Sequence, residues 1–358
     1  MSLEQYTPDE LTVKRYMPGP GKTPVYTTPI TPRENMLRMY QGKTPMWVPM
    51  SGETSKIMMD ADPERVARNP GPDPRRPDGR RIDGWGVEWI FVDVVGGAMV
   101  KPGAPMVTDI EEWEKQVKAI PDPDTWDWKG CAERSLPGVD PDFAVYVARP
   151  GCLFERLIAL MDFENAAVAL IDEDQKEATH RLLRTITDIQ KKAYTYIHEY
   201  LHPDIVCFND DWGSQRAEFF SVETAREMLL PYIKELCEYV HSLGMYWDLH
   251  CCGFVEGFVP LFCEAGYDSW GGQPMNDKWK LKQLYGDKMI FTGHMNCPKD
   301  ASEEEQNRII KEFFDTIGAD NRVYVDPGRD CPEGFKEKIY SASRRNYDKL
   351  KAEGKVVE

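Results

Sequence analysis

The amino-acid sequence predicts an α/β fold, and we expect a closed (β/α)8 TIM barrel in preference to an open doubly wound sheet. Three observations support this prediction. The chain has 358 residues, a length that α/β barrels use as a single domain. From about residue 143 to the end, short apolar runs alternate with amphipathic stretches. The short runs are apolar on both faces, as in parallel strands that helices cover on each side.

The N-terminal residues 1–31 predict an extended arm before the barrel, which we place at residues 32–358. They are rich in Pro, Gly, Thr and Tyr and lack any periodicity. "GPGKT" in this arm is not a phosphate loop, because the pattern requires a glycine where Tyr16 stands. The first helix is expected in "TPRENMLRMYQG", which has a proline at its start and a glycine at its end.

Seven apolar runs predict the buried strands of the barrel. They lie at residues 44–50, 143–149, 204–210, 245–251, 267–272, 288–294 and 322–327. An eighth strand is not apparent. Residues 75–135 are expected to form a hairpin-bearing insertion after the first strand, with room for the missing one. The clearest helix is predicted from its cap Ser221 to Gly244, with a kink at Pro231.

Charge and composition exclude several classes of protein. Lysines and arginines number 44 against 60 aspartates and glutamates, so the formal charge is −16 and the basic surface of nucleic-acid binding is absent. No run approaches the roughly 20 apolar residues of a membrane helix, and the N-terminus has no signal-peptide core. We therefore expect a cytoplasmic protein without a membrane segment. The nine cysteines include no Cys-x-x-Cys pair, which favours reduced thiols.

Reactive side chains follow most of the predicted strands. Because the active sites of α/β barrels lie at the carboxyl ends of the strands, these residues are candidates for function. The candidates for catalysis are Asp210, Asp211 and Gln215, and those for substrate binding are Glu53, Trp212, Gln273 and His294. Each has a structural alternative, since a single carboxylate often caps a helix and aromatic or histidine side chains often fill a core.

His250 and Cys252, in "WDLHCCGF", are two residues apart, so in an extended segment both side chains point to the same face. An imidazole and a thiolate that share one ion predict a zinc site, which in catalytic sites uses three protein ligands. The third ligand must come from another strand end. We favour Cys331 over Cys297, and a carboxylate is a further alternative.

Seven segments carry a resemblance to a known family. They are "TPMWVPM", "WGVEW", "DPDTW", "DDWGSQ", "GMYWDLHCCG", "EAGYDSWGGQPM" and "YGDKMIFTGHMN". From Pro45 onward the chain resembles the uroporphyrinogen decarboxylase-like superfamily, which includes the corrinoid-dependent methyltransferases. The resemblance implies a (β/α)8 barrel with a deep cleft at its carboxyl end. The arginine-rich sequence with which decarboxylases hold propionates is replaced here by "PMSGETSK", which argues against porphyrinogen decarboxylation.

The methyltransferase branch of this family implies zinc held by His-x-Cys and by one later cysteine near the last strand. His250 and Cys252 match the first part, whereas the late cysteine of the family falls nearer Arg329, so that Cys331 fits with a slip of two residues. The resemblance further implies a corrinoid (cobalamin) cofactor. On the interpretation that the chain lacks a cobalamin-binding sequence of the Asp-x-His-x-x-Gly kind, we expect this cofactor on a separate partner protein that docks at the cleft.

The leading interpretation is a zinc-dependent methyltransferase that moves a methyl group between a small molecule, such as an aromatic methyl ether, and a corrinoid protein. One alternative is a lyase or decarboxylase that uses Asp210, Asp211 and His250 on a small acid. Another is a non-catalytic protein that binds a corrinoid or tetrapyrrole. The zinc content of the purified protein separates the first interpretation from the other two.

Overall fold

The structure, a computed structural model, describes residues 6, 9–17, 24–68, 80–93, 97–103, 105–328 and 330–358. Residues 1–5, 7, 8 and 18–23 of the predicted arm, 75–79, 94–96 and 104 of the predicted insertion, and Arg329 lie outside the described residues.

Strands and helices alternate through most of the described chain. The strands are β1 (Val13–Tyr16), β2 (Pro24–Tyr26), β3 (Thr54–Ile57), β4 (Arg81–Ile82), β5 (Glu88–Val92), β6 (Gly97–Val100), β7 (Ala144–Arg149), β8 (Ile205–Asn209), β9 (Tyr246–His250), β10 (Ser269–Trp270), β11 (Ile290–His294) and β12 (Tyr324–Asp326).

The helices are α1 (Pro32–Tyr40), α2 (Pro63–Ala67), α3 (Trp113–Gln116), α4 (Trp128–Ser135), α5 (Phe154–Met161), α6 (Phe163–Ala169), α7 (Lys176–Leu201), α8 (Val222–Met228), α9 (Leu230–Ser242), α10 (Val259–Ala265), α11 (Lys278–Tyr285), α12 (Glu303–Asp315) and α13 (Phe335–Ala352). Short 3-10 helices lie at Ile110–Glu112, Pro123–Thr125, Leu136–Gly138 and Glu256–Phe258. None of the described helices combines the length and the apolar character that crossing a membrane requires.

The chain divides into two compact units. The first unit consists of Met1–Lys56, Pro137–Tyr146 and Asp268–Glu358, and the second consists of Ile57–Leu136 and Val147–Tyr267. Six of the seven predicted strand segments contain a strand of the structure: β7 to β12, in chain order.

In the first unit, β11 pairs in parallel with β10 on one side and with β12 on the other. The predicted first strand at 44–50 was wrong in extent. Only Met50 forms a bridge there, to Val325 of β12, and the following strand is β3. The reason is local: Pro45 and Pro49 lack the N–H that a ladder needs, and the side chain of Asn35 binds the backbone of Met46 and Trp47 instead.

The core of the first unit is a cluster of buried apolar side chains contributed by strands and helices. Its largest members are Trp47, Phe313, Phe335 and Tyr340. The arm contributes the antiparallel pair β1–β2, in which Tyr26 lies opposite Val13. The side chain of Leu11 packs against the same cluster.

In the second unit, β8 and β9 pair in parallel over five residues each, from Ile205 opposite Tyr246 to Asn209 opposite His250. The predicted helix of 221–244 is two helices, α8 and α9, because Pro231 stands in the first turn of α9 and cannot continue α8. Ser221 caps α8 as predicted, accepting a hydrogen bond from the amide of Thr224. Strands β4, β5 and β6 form antiparallel pairs within the predicted insertion.

Candidate functional site

His250, Cys252 and Asp211 bring three metal-binding side chains together beyond the carboxyl ends of β8 and β9. His250 is the last residue of β9, and Asp211 follows β8 by two residues. The Nε2 atom of His250 lies 3.2 Å from the Sγ atom of Cys252 and 3.9 Å from an Oδ atom of Asp211. All three candidate ligand atoms lie within 4.8 Å of one another.

The loops that carry these residues hold each other in place. The carboxylate of Asp211 accepts a hydrogen bond of 2.7 Å from the amide of Cys252, and Phe254 donates its amide hydrogen to the carbonyl of Ser214. Gly253 has φ +88°, and a Cβ atom there would lie 2.1 Å from the carbonyl oxygen of Gly213. Only glycine permits this close approach, so the loop geometry depends on it.

The donor set of the cluster suits zinc. Its three donors are an imidazole nitrogen, a sulfur and a carboxylate oxygen, which are the ligand types that zinc takes. Ligand atoms around a tetrahedral zinc ion lie roughly 3.3–3.8 Å apart. The two separations from His250, 3.2 and 3.9 Å, lie just below and just above that range, and all three are within 4.8 Å. His250 and Asp211 are both partly exposed, with side chains 52% and 36% accessible, which leaves an open side for a substrate.

The surroundings of Cys252 disfavour the thiolate form of its side chain unless a cation lies beside the sulfur. Burial raises the pKa of this thiol to about 12, and the carboxylate of Asp211 adds to the effect. The protein by itself therefore keeps Cys252 protonated at neutral pH. A divalent cation in contact with the sulfur would reverse that preference, because a coordinated thiol is deprotonated.

Asp210 and Trp212, on either side of Asp211, are both buried. The carboxylate of Asp210 accepts hydrogen bonds from the amides of Phe154 and Glu155 and from the indole of Trp212. Burial raises the pKa of Asp210 to about 7, and the charge of Glu155 contributes. These contacts fix the start of α5, so Asp210 acts there as a cap.

Trp212 packs its ring against Phe220, Phe258 and Phe262 in the core of the second unit. Gln215 is exposed. The predicted parts of Asp210 and Gln215 in catalysis, and of Trp212 in substrate binding, stay predictions.

The remaining predicted residues lie in the first unit. His294 places Nδ1 3.6 Å from a carboxylate oxygen of Asp326 and Nε2 3.3 Å from the carbonyl oxygen of Gly272. Gln273 follows that glycine and is partly buried. Cys331 is partly buried and packs against the core cluster of this unit. Its part as third zinc ligand stays a prediction, while Asp211 supplies a third donor atom beside His250 and Cys252.

Lys278 is a residue near His294 that the sequence analysis missed. It is buried, and its ammonium group donates to the carbonyls of Gly271 and Gly272. Burial lowers its pKa to about 8. The available signal was its position: a lysine in the first turn of α11 stands where the helix dipole favours an acidic residue.

A group of buried ion pairs in the second unit was not predicted from the sequence. Arg156 pairs with Glu64 and Asp83, and Arg149 pairs with Asp62. Arg68 pairs with Glu64 and also, at 2.7 Å, with Glu155. The other oxygen of Glu155 accepts a hydrogen bond of 3.3 Å from the amide of Asp211. This ion-pair network therefore reaches the backbone of the residue that completes the cluster.

The premise that this chain lacks a cobalamin-binding sequence of the Asp-x-His-x-x-Gly kind is wrong. Asp248, His250 and Gly253 have the spacing Asp-x-His-x-x-Gly, which is that of a type of cobalamin-binding sequence. In the structure the imidazole of His250 lies against Cys252 and Asp211. The spacing is nevertheless a reason to test cobalamin binding by this chain directly.

Comparisons with known proteins agree with the fold and the family resemblance. Residues 151–325 match the family described as uroporphyrinogen decarboxylase (URO-D). A solved methyltransferase from Methanosarcina mazei is similar in structure, with a TM-score of 0.57, 15% identity, and coverage of 90% of this chain and 99% of that chain. This likeness shows the fold and, with the family match, confirms the predicted (β/α)8 class. No curated protein matches this chain.

Two further solved structures are more distant. Xylanase 10B from Thermotoga maritima has a TM-score of 0.37 and 12% identity, with coverage of 64% of this chain and 82% of that chain. An endo-β-1,4-xylanase from Gloeophyllum trabeum has a TM-score of 0.36 and 11% identity, with coverage of 63% and 81%. Likenesses of this size carry no argument about function.

Proposed function

We propose that this uroporphyrinogen decarboxylase-like chain is a zinc-dependent methyltransferase, which moves a methyl group between a small molecule and a separate corrinoid protein. The observation that carries the proposal is the convergence of His250, Cys252 and Asp211 on one point at the ends of adjacent strands. The fold likeness to a methyltransferase supports it.

In this proposal His250 and Cys252 hold the zinc, with Asp211 or Cys331 as the third protein ligand. Bound there, zinc would supply a Lewis acid for a thiol or an ether oxygen of the small molecule. The chain's own residues position the site. Asp211 fixes the backbone of Cys252, and Glu155 in turn fixes the backbone of Asp211. The exposed side of His250 leaves a path for the small molecule.

The partner in this proposal is a corrinoid protein with basic residues around its cofactor. The formal charge of −16 favours such a partner and disfavours an acidic one. Transfer by displacement needs donor, methyl carbon and acceptor in line at near contact, so the partner must reach the cleft. At limiting partner concentration, the rate is expected to fall as the salt concentration rises, because salt screens the attraction.

The direct test measures methyl transfer to free reduced cobalamin from three classes of donor: aromatic methyl ethers, methylamines and methyl thiols. We expect transfer from at least one class, dependent on added zinc after treatment with a chelator. Folded, zinc-loaded protein that transfers from none of them would reject the proposal and favour the lyase alternative.

The Asp-x-His-x-x-Gly spacing supports a second candidate, in which this chain itself binds cobalamin through the imidazole of His250. An absorption titration of the zinc-free protein with cobalamin separates the two. A spectral shift that is lost in His250→Ala but kept in Cys252→Ala would favour direct corrinoid binding. An unchanged spectrum, together with about one zinc per chain, would favour the partner-borne corrinoid.

Replacement of Asp211 by asparagine is expected to lower turnover by about 100-fold, the lower end for loss of a positioned acid or base. The amide oxygen can still accept the hydrogen bond from Cys252, so the loop should keep its shape while the charge is lost. Glu218→Gln is the matched control, because Glu218 also accepts a backbone hydrogen bond in this region but lies outside the cluster. A large fall in melting temperature with normal turnover would show that Asp211 has a structural role only.

A further inference from the structure

A cavity of about 340 Å³ lies in the first compact unit, under the N-terminal arm. Its walls come from the arm, from the loop that follows Met50 and from the start of α13. Ligand sites for small molecules begin at about this volume, and a molecule with one ring or a small branched body would fill it. None of the comparisons assigns a ligand to it.

On the side of the N-terminal arm, the cavity is lined by a residue with a strained backbone conformation. Leu11 lines the cavity with φ +64°, a left-handed conformation that is uncommon for a residue with a side chain. Its amide donates a hydrogen bond of 3.0 Å to the carbonyl of Thr27, which ties it to the opposite side of the hairpin. Strain of this kind persists only where the surrounding structure holds it, and it concentrates at binding sites.

The cavity is also lined by a partly buried carboxylate. Glu53 accepts hydrogen bonds from the indole of Trp47 and the amide of Met50, each at 3.0 Å. Among the described residues no ammonium or guanidinium group lies within 4.0 Å of it. Lys336 also lines the cavity, where its ammonium group donates to the carbonyl of Ser51 at 3.3 Å and its charge acts on Glu53 from farther away.

The lining is acidic and aromatic. Three carboxylates line the cavity, from Glu53, Glu333 and Glu337, against one ammonium group, from Lys336. Three aromatic residues line it as well: Tyr26, Phe143 and Tyr340. A carboxylate among aromatic rings is the environment that proteins use for organic cations, because both the charge and the ring faces attract them.

We propose that this cavity binds a small organic cation, an amine or quaternary ammonium with a compact apolar body, whose charge is held by Glu53. Glu53 was predicted from the sequence to bind substrate, and the proposal assigns the class of molecule. It does not depend on methyl transfer, since binding requires neither zinc nor a corrinoid.

The test compares choline with its neutral carbon analogue 3,3-dimethylbutan-1-ol by calorimetric titration of the full-length protein. The two molecules share a shape and differ in charge. We expect choline to bind at least about tenfold more tightly, the gain typical of a desolvated cation on a carboxylate and rings. Equal affinities, or no binding of either molecule, would overturn the proposal.

Three variants locate the charge that matters. Glu53→Gln should remove the preference for choline, whereas Glu333→Gln, which removes one charge from an exposed residue of the lining, should keep it. Lys336→Met removes the competing ammonium group together with its hydrogen bond to the carbonyl of Ser51, and circular dichroism checks that this exposed substitution keeps the fold. This variant should strengthen choline binding and leave the alcohol unchanged. A Glu53→Gln protein that still prefers choline, or a Lys336→Met protein without the gain, would count against the site.

The affinity for choline is also expected to depend on pH. Burial raises the pKa of Glu53 to about 7, and a bound cation favours the ionised form. Binding is therefore strongest above pH 7 and is lost as the pH falls through it, by about tenfold between pH 8 and pH 6. The other titratable groups that face the cavity are Lys336 and Glu337 of α13, Glu333, Cys331 and the two tyrosines, so Glu53→Gln is the control that should abolish this slope.

A variant of Cys252 distinguishes failure of the choline site from failure of the proposed methyl transfer. Cys252→Ala, which removes a predicted zinc ligand, should bind choline like the wild type. Loss of choline binding in that variant would show that the two sites are not independent.

Discussion

Replacing Cys252 by alanine is expected to remove zinc from the purified protein and to reduce methyl transfer to the level of zinc-free enzyme. The sulfur lies 3.2 Å from the imidazole of His250, so one ion can contact both. Loss of a residue that only supports a metal ligand already weakens binding by about 10- to 100-fold, and loss of a direct ligand should weaken it further. Zinc per chain, measured by atomic emission after dialysis, reports the effect.

The neighbouring cysteine is the control for this experiment. Cys251 is buried, and burial raises the pKa of its thiol well above the usual value. Cys251→Ala should therefore retain zinc, at the cost of some packing. Circular dichroism should show both variants folded. Equal zinc in the wild type and in Cys252→Ala would reject the metal site.

The same measurement identifies the third ligand. If Asp211 completes the site, Asp211→Asn should lower the zinc content and Cys331→Ala should not. If Cys331 is the third ligand, the order is reversed. The geometry within the second unit favours Asp211, since its carboxylate already lies beside the other two donors. The family resemblance favours a late cysteine.

Sequence reasoning predicted most strands because each is a short run that is apolar on both faces, as β8 with its buried Ile205–Phe208 shows. It failed at residues 44–50, which are equally apolar. What decided that segment was hydrogen bonding, because two prolines and the side chain of Asn35 replace the ladder. Likewise, the helix after Ser221 was found, but its division into α8 and α9 depends on how the chain packs around Pro231.

For the site, the part that could be predicted is local in sequence. The spacing of His250 and Cys252 implied that their side chains point to the same face. Asp211 was singled out for catalysis because it follows a strand, but its place beside these two residues depends on the pairing of β8 with β9. The ion-pair network was missed for the opposite reason. The partners Asp83 and Arg156 are 73 residues apart, and no local pattern reveals such a pair.

Arg156→Met is expected to destabilise the protein by about 3–5 kcal/mol, the range for breaking a buried ion pair from one side. The guanidinium group is fully buried and pairs with Glu64 and, at 2.7 Å, with Asp83. Methionine matches the length of the stem but leaves both carboxylates buried without this partner. The free energy of unfolding from urea titration at neutral pH measures the loss.

Arg134→Met is the matched control. Arg134 also pairs with two carboxylates, Asp60 and Asp127, but its side chain is 52% exposed. Pairs in water contribute about 0–1 kcal/mol, so this variant should lose at most that much. The contrast isolates burial as the cause, because the substitution and the number of partners are the same. Losses of equal size in Arg156→Met and Arg134→Met would contradict the view that burial sets the size of the loss.

A second substitution, at Asp83, is expected to recover part of the stability that Arg156→Met loses. Its carboxylate also accepts hydrogen bonds from the amides of Trp85 and Val87 and from the indole of Trp89, so it organises the turn before β5. The double variant with Asp83→Asn removes the unpaired charge. Its amide oxygen can still accept from the amides of Trp85 and Val87, which both bond Oδ1, but the bond from the indole of Trp89 to Oδ2 is lost. Relief of a buried unpaired charge outweighs the loss of one hydrogen bond. The double variant should therefore be more stable than Arg156→Met alone, by about 1–3 kcal/mol. A double variant that is less stable than Arg156→Met would show that the bonds to Asp83, and not its pairing with Arg156, dominate this part of the core.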